Sequence, residues 1–186
     1  MILRLVERRS RPGPEWSDWT AGVGRLDLLN ELSAEVGRPD WTVDLVLVED
    51  RAMAGLNRQY RKMEGVTDVL SFAYVQSEGD GEPDLRRGQG RAFADLWLDR
   101  LGPGHENGPH LEPVAGDIVL APGFVADRCR DRGWPLDLEV PLLVVHGLLH
   151  ILGWDHETPE TRFAMQAVEQ DILAVRDLPH PLLDRS

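Results

Sequence analysis

Residues 146–156 read His-Gly-Leu-Leu-His-Ile-Leu-Gly-Trp-Asp-His, and they are the most informative stretch of the chain. On an α-helix, positions four apart lie on one face one turn above each other, so His146 and His150 can present two imidazoles to one point. Gly153 stands where the helix is expected to end, because glycine adopts the left-handed conformation that reverses the chain. This reversal lets His156 supply a third imidazole. The stretch therefore predicts a three-histidine cluster at the end of a helix.

The expected occupant of this cluster is a zinc ion. Three neutral imidazoles leave a tetrahedral divalent ion with one open position, which is the arrangement of a catalytic zinc and not of a closed structural one. The chain has a single cysteine, so a site built from thiolates is excluded. With 6 histidines in 186 residues, about 0.006 patterns of this spacing are expected by chance. We predict one Zn²⁺ per chain, with His146, His150 and His156 as its ligands.

The alternative without a metal is that these histidines are only polar positions on an amphipathic helix and in a solvent-exposed turn. For single histidines we favour that interpretation, and we therefore expect no chemical role for His105, His110 and His180. Asp155 precedes the third histidine and either accepts the second imidazole proton of a ligand or caps the turn. Asp68 and Asp117 lie at predicted strand starts, where a structural role is expected.

The rest of the chain is predicted to form strands and further helices. Runs rich in β-branched and aliphatic residues predict strands over 1–9, 42–49, 67–75 and 116–120. Apolar residues at helical spacing predict helices over 21–36, 50–63, 122–132, 138–152 and 159–176. Pro141 is expected in the first turn of the fourth helix, since deeper it would interrupt the backbone hydrogen bonds. The expected fold class is α/β (α+β), with a small mixed sheet of about four strands covered by helices.

The length and composition fit one globular domain, which we place at residues 1–178, followed by a tail over 179–186. Residues 76–113 are dominated by Gly, Pro, Asp, Glu and Arg and are expected to form a surface insertion. No apolar run approaches the roughly 20 residues of a membrane-spanning helix, and residues 1–7 are charged too soon for a signal peptide. We therefore expect a cytoplasmic protein without membrane contact.

The charge balance argues, on first reading, against a nucleic-acid partner. The chain has 20 basic and 32 acidic side chains, which gives a net charge of −12. Against that average, Arg58, Arg61 and Lys62 cluster close together in the sequence.

The histidine spacing also occurs in metzincin proteases, which have a glutamate beside the first histidine as general base. In this chain that position is Gly147. Without the glutamate, water at the zinc lacks its proton acceptor, so peptide hydrolysis by that route is disfavoured.

The histidine stretch instead resembles the His-Gly-x-Leu-His-Leu-x-Gly-Tyr-Asp-His signature of the YbeY family of bacterial rRNA maturation endoribonucleases. Three further motifs match that family in the same order: residues 56–61 (LNRQYR), 67–72 (TDVLSF) and 116–118 (GDI). The resemblance covers roughly residues 42–175. Val66 and Ala73 stand where the family usually has proline, Trp154 replaces tyrosine, and the 76–113 insertion is longer than usual.

This resemblance implies a single-strand-specific, metal-dependent endoribonuclease in 16S rRNA 3′-end maturation and ribosome quality control. It also implies parallel strand pairing with one antiparallel edge strand. The family's arginine falls at Arg61, whose guanidinium fork matches phosphate geometry, so the expected catalytic residues are Arg61, His146, His150 and His156. Arg58, Arg61 and Lys62 are the expected substrate-binding residues, and the expected partners are ribosomal RNA and a ribosomal or ribosome-assembly protein.

Two other functions stay open from the residues. One is a zinc hydrolase of another class, such as a metzincin-like peptidase that takes its base from elsewhere. The other is a ribosome-assembly binding module in which the zinc is structural. Gly147 argues against the peptidase, and an open coordination position argues against a purely structural metal.

Overall fold

The fold is organised around a four-stranded mixed sheet. The structure is a computed structural model, and it describes residues 1–9, 16, 19, 24–38, 40–74 and 114–183. The predicted insertion at 76–113 lies outside the described residues, as do His105 and His110, so those predictions stay predictions.

The strands and helices follow one another along the chain in the predicted order. The strands are β1 (Ile2–Glu7), β2 (Thr42–Leu47), β3 (Val69–Ala73) and β4 (Val114–Leu120). The helices are α1 (Arg25–Glu35), α2 (Asp50–Leu56), α3 (Pro122–Arg132), α4 (Leu136–Ile151) and α5 (Pro159–Ala174). A π-helical turn, Asn57–Arg61, continues directly from α2.

The strand order in the sheet is β1-β2-β4-β3. β1 pairs with β2 and β2 pairs with β4 in parallel, whereas β3 pairs antiparallel with β4 and forms one edge. The predicted mixed sheet of about four strands is confirmed, including its single antiparallel edge strand.

The central strands are covered on both faces, and their sequences are apolar for that reason. Leu45 and Ile118 face a core that includes Leu148 of α4, while Val46 and Val119 face a second core under α2. The sheet therefore separates α4, which carries two of the histidines, from α2.

Helix α4 packs closely against β3 and β4 because of a glycine. A Cβ atom built on Gly147 would lie 3.0 Å from two side-chain carbons of Ile118 and 3.0 Å from Ser71 Oγ. Real Cβ atoms rarely approach other atoms that closely, so a side chain at this position requires its neighbours to move. The glycine lets the helix lie low on the sheet, with His146 next to it on the cavity wall.

Two sequence predictions about helices are wrong in detail. Pro141 is not in the first turn of α4, because the helix begins at Leu136 and includes Pro141 in its interior. Proline has no backbone N–H, so position 141 cannot donate to the carbonyl of Asp137, one turn earlier. The helix predicted over 50–63 ends at Leu56 as an α-helix, because the chain widens into the π-helical turn and Lys62 adopts a left-handed φ of 58°.

A membrane-spanning helix needs about 20 predominantly apolar residues. Within the described ranges, every helix is too short or too polar to cross a bilayer.

Candidate metal centre

Three imidazoles converge beside the carboxyl end of α4. His146 and His150 lie on the last turns of the helix, and His156 lies in the segment that follows it. One nitrogen from each ring lies within 4.8 Å of the other two, and the ring centroids are between 4.5 and 5.3 Å apart. Among the residues that the structure describes, this is the one group of His, Cys, Asp or Glu side chains with that geometry. The predicted three-histidine cluster at a helix end is confirmed, and it could hold a metal ion.

The turn that ends α4 brings the third histidine into place. Gly153 has a φ of 90°, and its N–H donates to the carbonyl of His150 at 3.0 Å. The N–H of Trp154 donates to the carbonyl of Leu149, also at 3.0 Å. These two bonds form the Schellman arrangement that closes a helix with a left-handed residue. The chain reverses at Gly153, as predicted.

Hydrogen bonds on the far side of two rings determine where their protons lie. His150 Nδ1 is 2.9 Å from the carbonyl of Trp154, and His146 Nδ1 is 2.7 Å from Glu169 Oε1. Both partners are acceptors, so each Nδ1 carries the proton and donates it. In the neutral imidazoles, the two Nε2 atoms then present lone pairs to the cluster, which is the form that binds metal.

The spacing of the two Nε2 atoms fits a shared ion. They lie 3.1 Å apart. Two nitrogens that each lie 2.0–2.1 Å from a tetrahedral zinc are about 3.3 Å from one another. Without a cation or a proton between them, two lone pairs at this distance repel each other. The donor set therefore fits a divalent metal.

Burial also favours the metal-binding form of one ligand. Burial in the site lowers the pKa of His150, and the neighbouring His146 lowers it further. Protons therefore compete less strongly with a metal for its nitrogen.

Glu169, which the sequence analysis did not find, orients His146. This residue of α5 is only 3% exposed, and its second oxygen, Oε2, is 3.0 Å from Nε2 of His180. Burial alone would raise the pKa of Glu169, but hydrogen bonds from His146 and His180 hold it below its ordinary value. Asp155, which we considered for this role, accepts instead from the backbone N–H of Glu157 at 3.3 Å. The sequence contains one signal that could have identified Glu169. It is a carboxylate next to the apolar face of α5 that Met165 and Ile172 share.

His180, for which we expected no chemical role, is buried in the fold. Its side chain is fully buried and hydrogen-bonded to Glu169, so it belongs to the polar network behind His146.

A cavity of about 790 Å³ extends from the three histidines along β3. Its wall includes Tyr60 and Arg61 from the π-helical turn, together with Arg128 and Arg132 from α3. The structure thus brings Arg61 and the histidines to one cavity.

The other two basic residues of the predicted patch lie on the same turn but outside the cavity lining. Arg58 Nη1 is 3.8 Å from Glu64 Oε2, and Lys62 Nζ donates to the carbonyl of Gln59 at 2.9 Å. Asn57, buried at the start of the turn, donates from Nδ2 to the carbonyl of Gly65 at 3.0 Å. This bond ties the turn to the loop that follows it.

Asp68 and Asp117 have structural contacts, as expected. Arg128 pairs with both Asp68 and Glu139 at the cavity wall. Burial would raise the pKa of Asp68, but the charge of Arg128 and its hydrogen bond hold it below the ordinary value. Asp117 accepts from the hydroxyl of Tyr74, and burial raises the pKa of Asp117 to about 6.

Comparison with known proteins agrees with the motifs. A family profile described as Endoribonuclease YbeY matches residues 23–176. An Endoribonuclease YbeY of Rhodococcus opacus is 36% identical over 135 residues, which is 73% of this chain and 63% of that protein. The chain belongs to the YbeY family. An Endoribonuclease YbeY of Moorella thermoacetica is 34% identical over 163 residues, 85% of this chain and 90% of that protein.

Two further facts concern how much of each chain the YbeY comparison covers. The aligned part spans less than two thirds of the length of the Rhodococcus relative, and the YbeY profile ends before His180. A solution structure from Thermotoga maritima is similar at a TM-score of 0.49 and 18% identity, over 94% of this chain and 91% of that chain.

Proposed function

We propose that this protein is a zinc-dependent, single-strand-specific endoribonuclease that acts on ribosomal RNA. The observation that carries the proposal is the convergence of three imidazoles on a cavity that Arg61 also lines. Membership of a family whose relatives are named endoribonucleases supports the same substrate class.

The proposed ligands are His146, His150 and His156. Zinc prefers a small set of nitrogen ligands, and three of them leave the open position that a reaction needs. Bound there, zinc supplies Lewis-acid chemistry, since it polarises a phosphoryl oxygen and makes water more acidic. Glu169 and the carbonyl of Trp154 keep the first two imidazoles oriented, because each holds an Nδ1 proton.

The proposed role of Arg61 is to bind the phosphate that reacts. A guanidinium donates two parallel hydrogen bonds to phosphate oxygens and stabilises negative charge that develops on them. Arg58 and Lys62 lie on the same exposed turn outside the cavity, where they would contact flanking phosphates. The three side chains form the proposed substrate-binding patch.

Aromatic side chains on the cavity wall support a single-stranded substrate. Tyr60 is 40% exposed, and its ring centroid lies 5.0 Å from that of Phe72 in an edge-to-face contact. Both residues line the cavity. Unpaired bases stack on such rings, whereas bases in a duplex are already stacked on each other.

The finer biological role follows from the family and the charge. We propose that the protein acts in the cytoplasm in 16S rRNA 3′-end maturation, rRNA processing and ribosome quality control. A net charge of −12 gives little general attraction to RNA, so targeting is proposed to depend on a ribosomal or ribosome-assembly protein.

The two alternatives have less support. A metzincin-like peptidase would have to take its general base from elsewhere, because residue 147 is a glycine whose surroundings admit a side chain only if Ile118 and Ser71 move. A binding module with a purely structural zinc does not need its metal site on the wall of a cavity of about 790 Å³.

The proposal is tested by metal analysis and by cleavage of single-stranded RNA, structured RNA and casein. We expect about one zinc per chain after purification without chelator. His150→Ala should lose both metal and RNA cleavage. Arg61→Ala should keep its metal and lose about 10²–10³-fold in kcat/KM, as expected for removal of a group that stabilises developing charge.

The matched control is Arg51→Ala, which removes an arginine from the exposed side of α2, outside the cavity lining. It should cleave RNA at the wild-type rate. Cleavage of casein without cleavage of RNA would replace the proposed function with the peptidase alternative. A wild-type protein that binds no divalent metal would end the proposal.

A further inference from the structure

The segment that follows α5 returns to the metal centre. His180 lies beyond the family match, which ends at residue 176, yet its side chain is 0% exposed. Leu182, two residues later, lines the same cavity as the three histidines. The segment 178–183 therefore brings two of its residues, His180 and Leu182, to the site.

The hydrogen bonds of His180 determine its protonation at each nitrogen. The backbone N–H of Leu182 donates to Nδ1 of His180 at 3.2 Å, so Nδ1 is the acceptor. The proton of the neutral ring is then on Nε2, which donates to Glu169 Oε2 at 3.0 Å. The segment holds its own histidine in the tautomer that Glu169 requires.

Glu169 lies between two imidazoles and uses one oxygen for each. Oε1 accepts from His146 at 2.7 Å, and Oε2 accepts from His180 at 3.0 Å. A carboxylate this deeply buried needs partners for both oxygens, because an unpaired charged oxygen in a low dielectric is costly. Two donors on opposite oxygens also fix the rotation of the carboxylate, and this keeps Oε1 directed at Nδ1 of His146.

We propose that His180 is a positioning residue of the metal centre, which acts through Glu169 to hold His146 in the orientation that binds metal. The inference rests on the proposed zinc site and is independent of the RNA substrate. It assigns a functional role to a part of the chain outside the family match.

The test separates the hydrogen bond of His180 from its volume. His180→Phe keeps an aromatic ring at this position without a donor, whereas His180→Gln keeps a side-chain N–H that can donate to a carboxylate. The zinc dissociation constant of the full chain is measured by competition with a chromophoric chelator. We expect it to rise about tenfold in His180→Phe and to stay within about threefold of wild type in His180→Gln, in line with the effect of partners behind metal ligands.

Two controls make the result specific. Leu183→Ala changes an exposed side chain of the same segment and should leave the dissociation constant unchanged. In a Glu169→Gln background, adding His180→Phe should cause little further loss, since residues that act through one another are not additive. A purely structural role would lower the thermal midpoint of the metal-free protein without changing the zinc affinity.

Three results would overturn the inference. The first is a folded His180→Phe that binds zinc within twofold of wild type, and His180→Ala is measured against the same limit if the phenylalanine variant does not fold. The second is a full additive loss in the Glu169→Gln background. The third is a wild type that binds no zinc, and this result alone also removes the proposed function.

Discussion

Gly147 connects packing and chemistry at a single residue. It lies next to His146 and faces β3 and β4, where an added Cβ atom would lie 3.0 Å from side-chain atoms of Ile118 and Ser71. The same absence of a side chain removes the general base that metzincins carry at this position. The packing of α4 on the sheet therefore favours the same residue that disfavours peptidase chemistry.

Adding one methyl group to this glycine tests the packing. Gly147→Ala should lower the free energy of unfolding by about 1–3 kcal/mol, because Ile118 and Ser71 must move to accommodate the Cβ atom. The measurement is urea unfolding of the metal-free protein. Gly55→Ala in α2 is the matched control, since nothing lies within 4 Å of its added Cβ atom. It should raise stability by about 0.5–1 kcal/mol. Equal effects at both positions would contradict the close approach of α4.

At the residue scale, the sequence predicts those parts of the site that are local. His146, His150 and His156 could be predicted because helix geometry and one glycine relate their positions within eleven residues. Glu169 and His180 could not, since each meets its partner only after α5 packs against α4. Local spacing carries no information about such contacts, and a buried histidine looks the same in sequence as an exposed one.

Three elements meet at the ion network opposite the histidines. Asp68 precedes β3, Arg128 lies on α3, and Glu139 lies on α4. The Arg128 side chain is 20% exposed and carries the positive charge between the two carboxylates. Its removal leaves both carboxylates without that cation at the cavity wall.

Loss of this cation should be strongly destabilising at neutral pH. Arg128→Met should lower the free energy of unfolding by about 3 kcal/mol at pH 7, because a partly buried ion network loses its shared partner. Arg128 holds the pKa of Asp68 below its ordinary value, so the network stabilises the fold above that value and loses its effect as the pH falls. The deficit of Arg128→Met should therefore stay nearly constant from pH 7 to about pH 4 and shrink as the pH falls further, as followed by urea unfolding at each pH.

The matched control for this prediction is Arg130→Met. Arg130 pairs with Asp127 on the surface of the same helix, and its side chain is 59% exposed. Exposed pairs contribute about 0–1 kcal/mol, so a small and nearly pH-independent change is expected. A deficit in Arg128→Met that stays constant below about pH 4 would show that packing, and not charge, holds these elements together.

At the element scale, the helix ends that are marked by capping and turn residues were predicted well. The irregular backbone of the π-helical turn was not predicted. Pro122 and Gly133 bound α3 as expected, and Thr158 caps α5 through a reciprocal hydrogen-bond pair with Thr161. The π-helical turn after α2 has no such signal in the sequence, and the hydrogen bond that ties it to the following loop joins Asn57 to Gly65, eight residues away.

For the whole molecule, the relevant electrostatic quantity is the distribution of charge. The cavity wall includes Arg61, Arg128 and Arg132 but also five carboxylates, so its positive charge is confined to single side chains. Two of these arginines differ in how accessible they are to a phosphate, since Arg128 is paired with two carboxylates whereas Arg61 is exposed. Recognition of RNA is therefore expected to use few charges.

A small number of phosphate contacts predicts a shallow salt dependence. If Arg58, Arg61 and Lys62 are the contacts, log K for single-stranded RNA should fall with log salt at a slope of about −2. Arg58→Ala and Lys62→Ala should each make the slope shallower by about 0.7, whereas Arg51→Ala should leave it unchanged. Filter binding across a salt series measures it. A slope of about −5 or steeper would require a much larger basic surface than this patch.

The local origin of the histidine cluster has a consequence for the denatured chain. Loops of about ten residues close in roughly 10–100 ns, so His146, His150 and His156 meet often even when the sheet is absent. The sheet itself depends on distant pairs such as Val43 with Gly116. An unfolded chain therefore keeps some affinity for zinc, and we expect the ion to stabilise the native state by less than its affinity for the folded site alone would give.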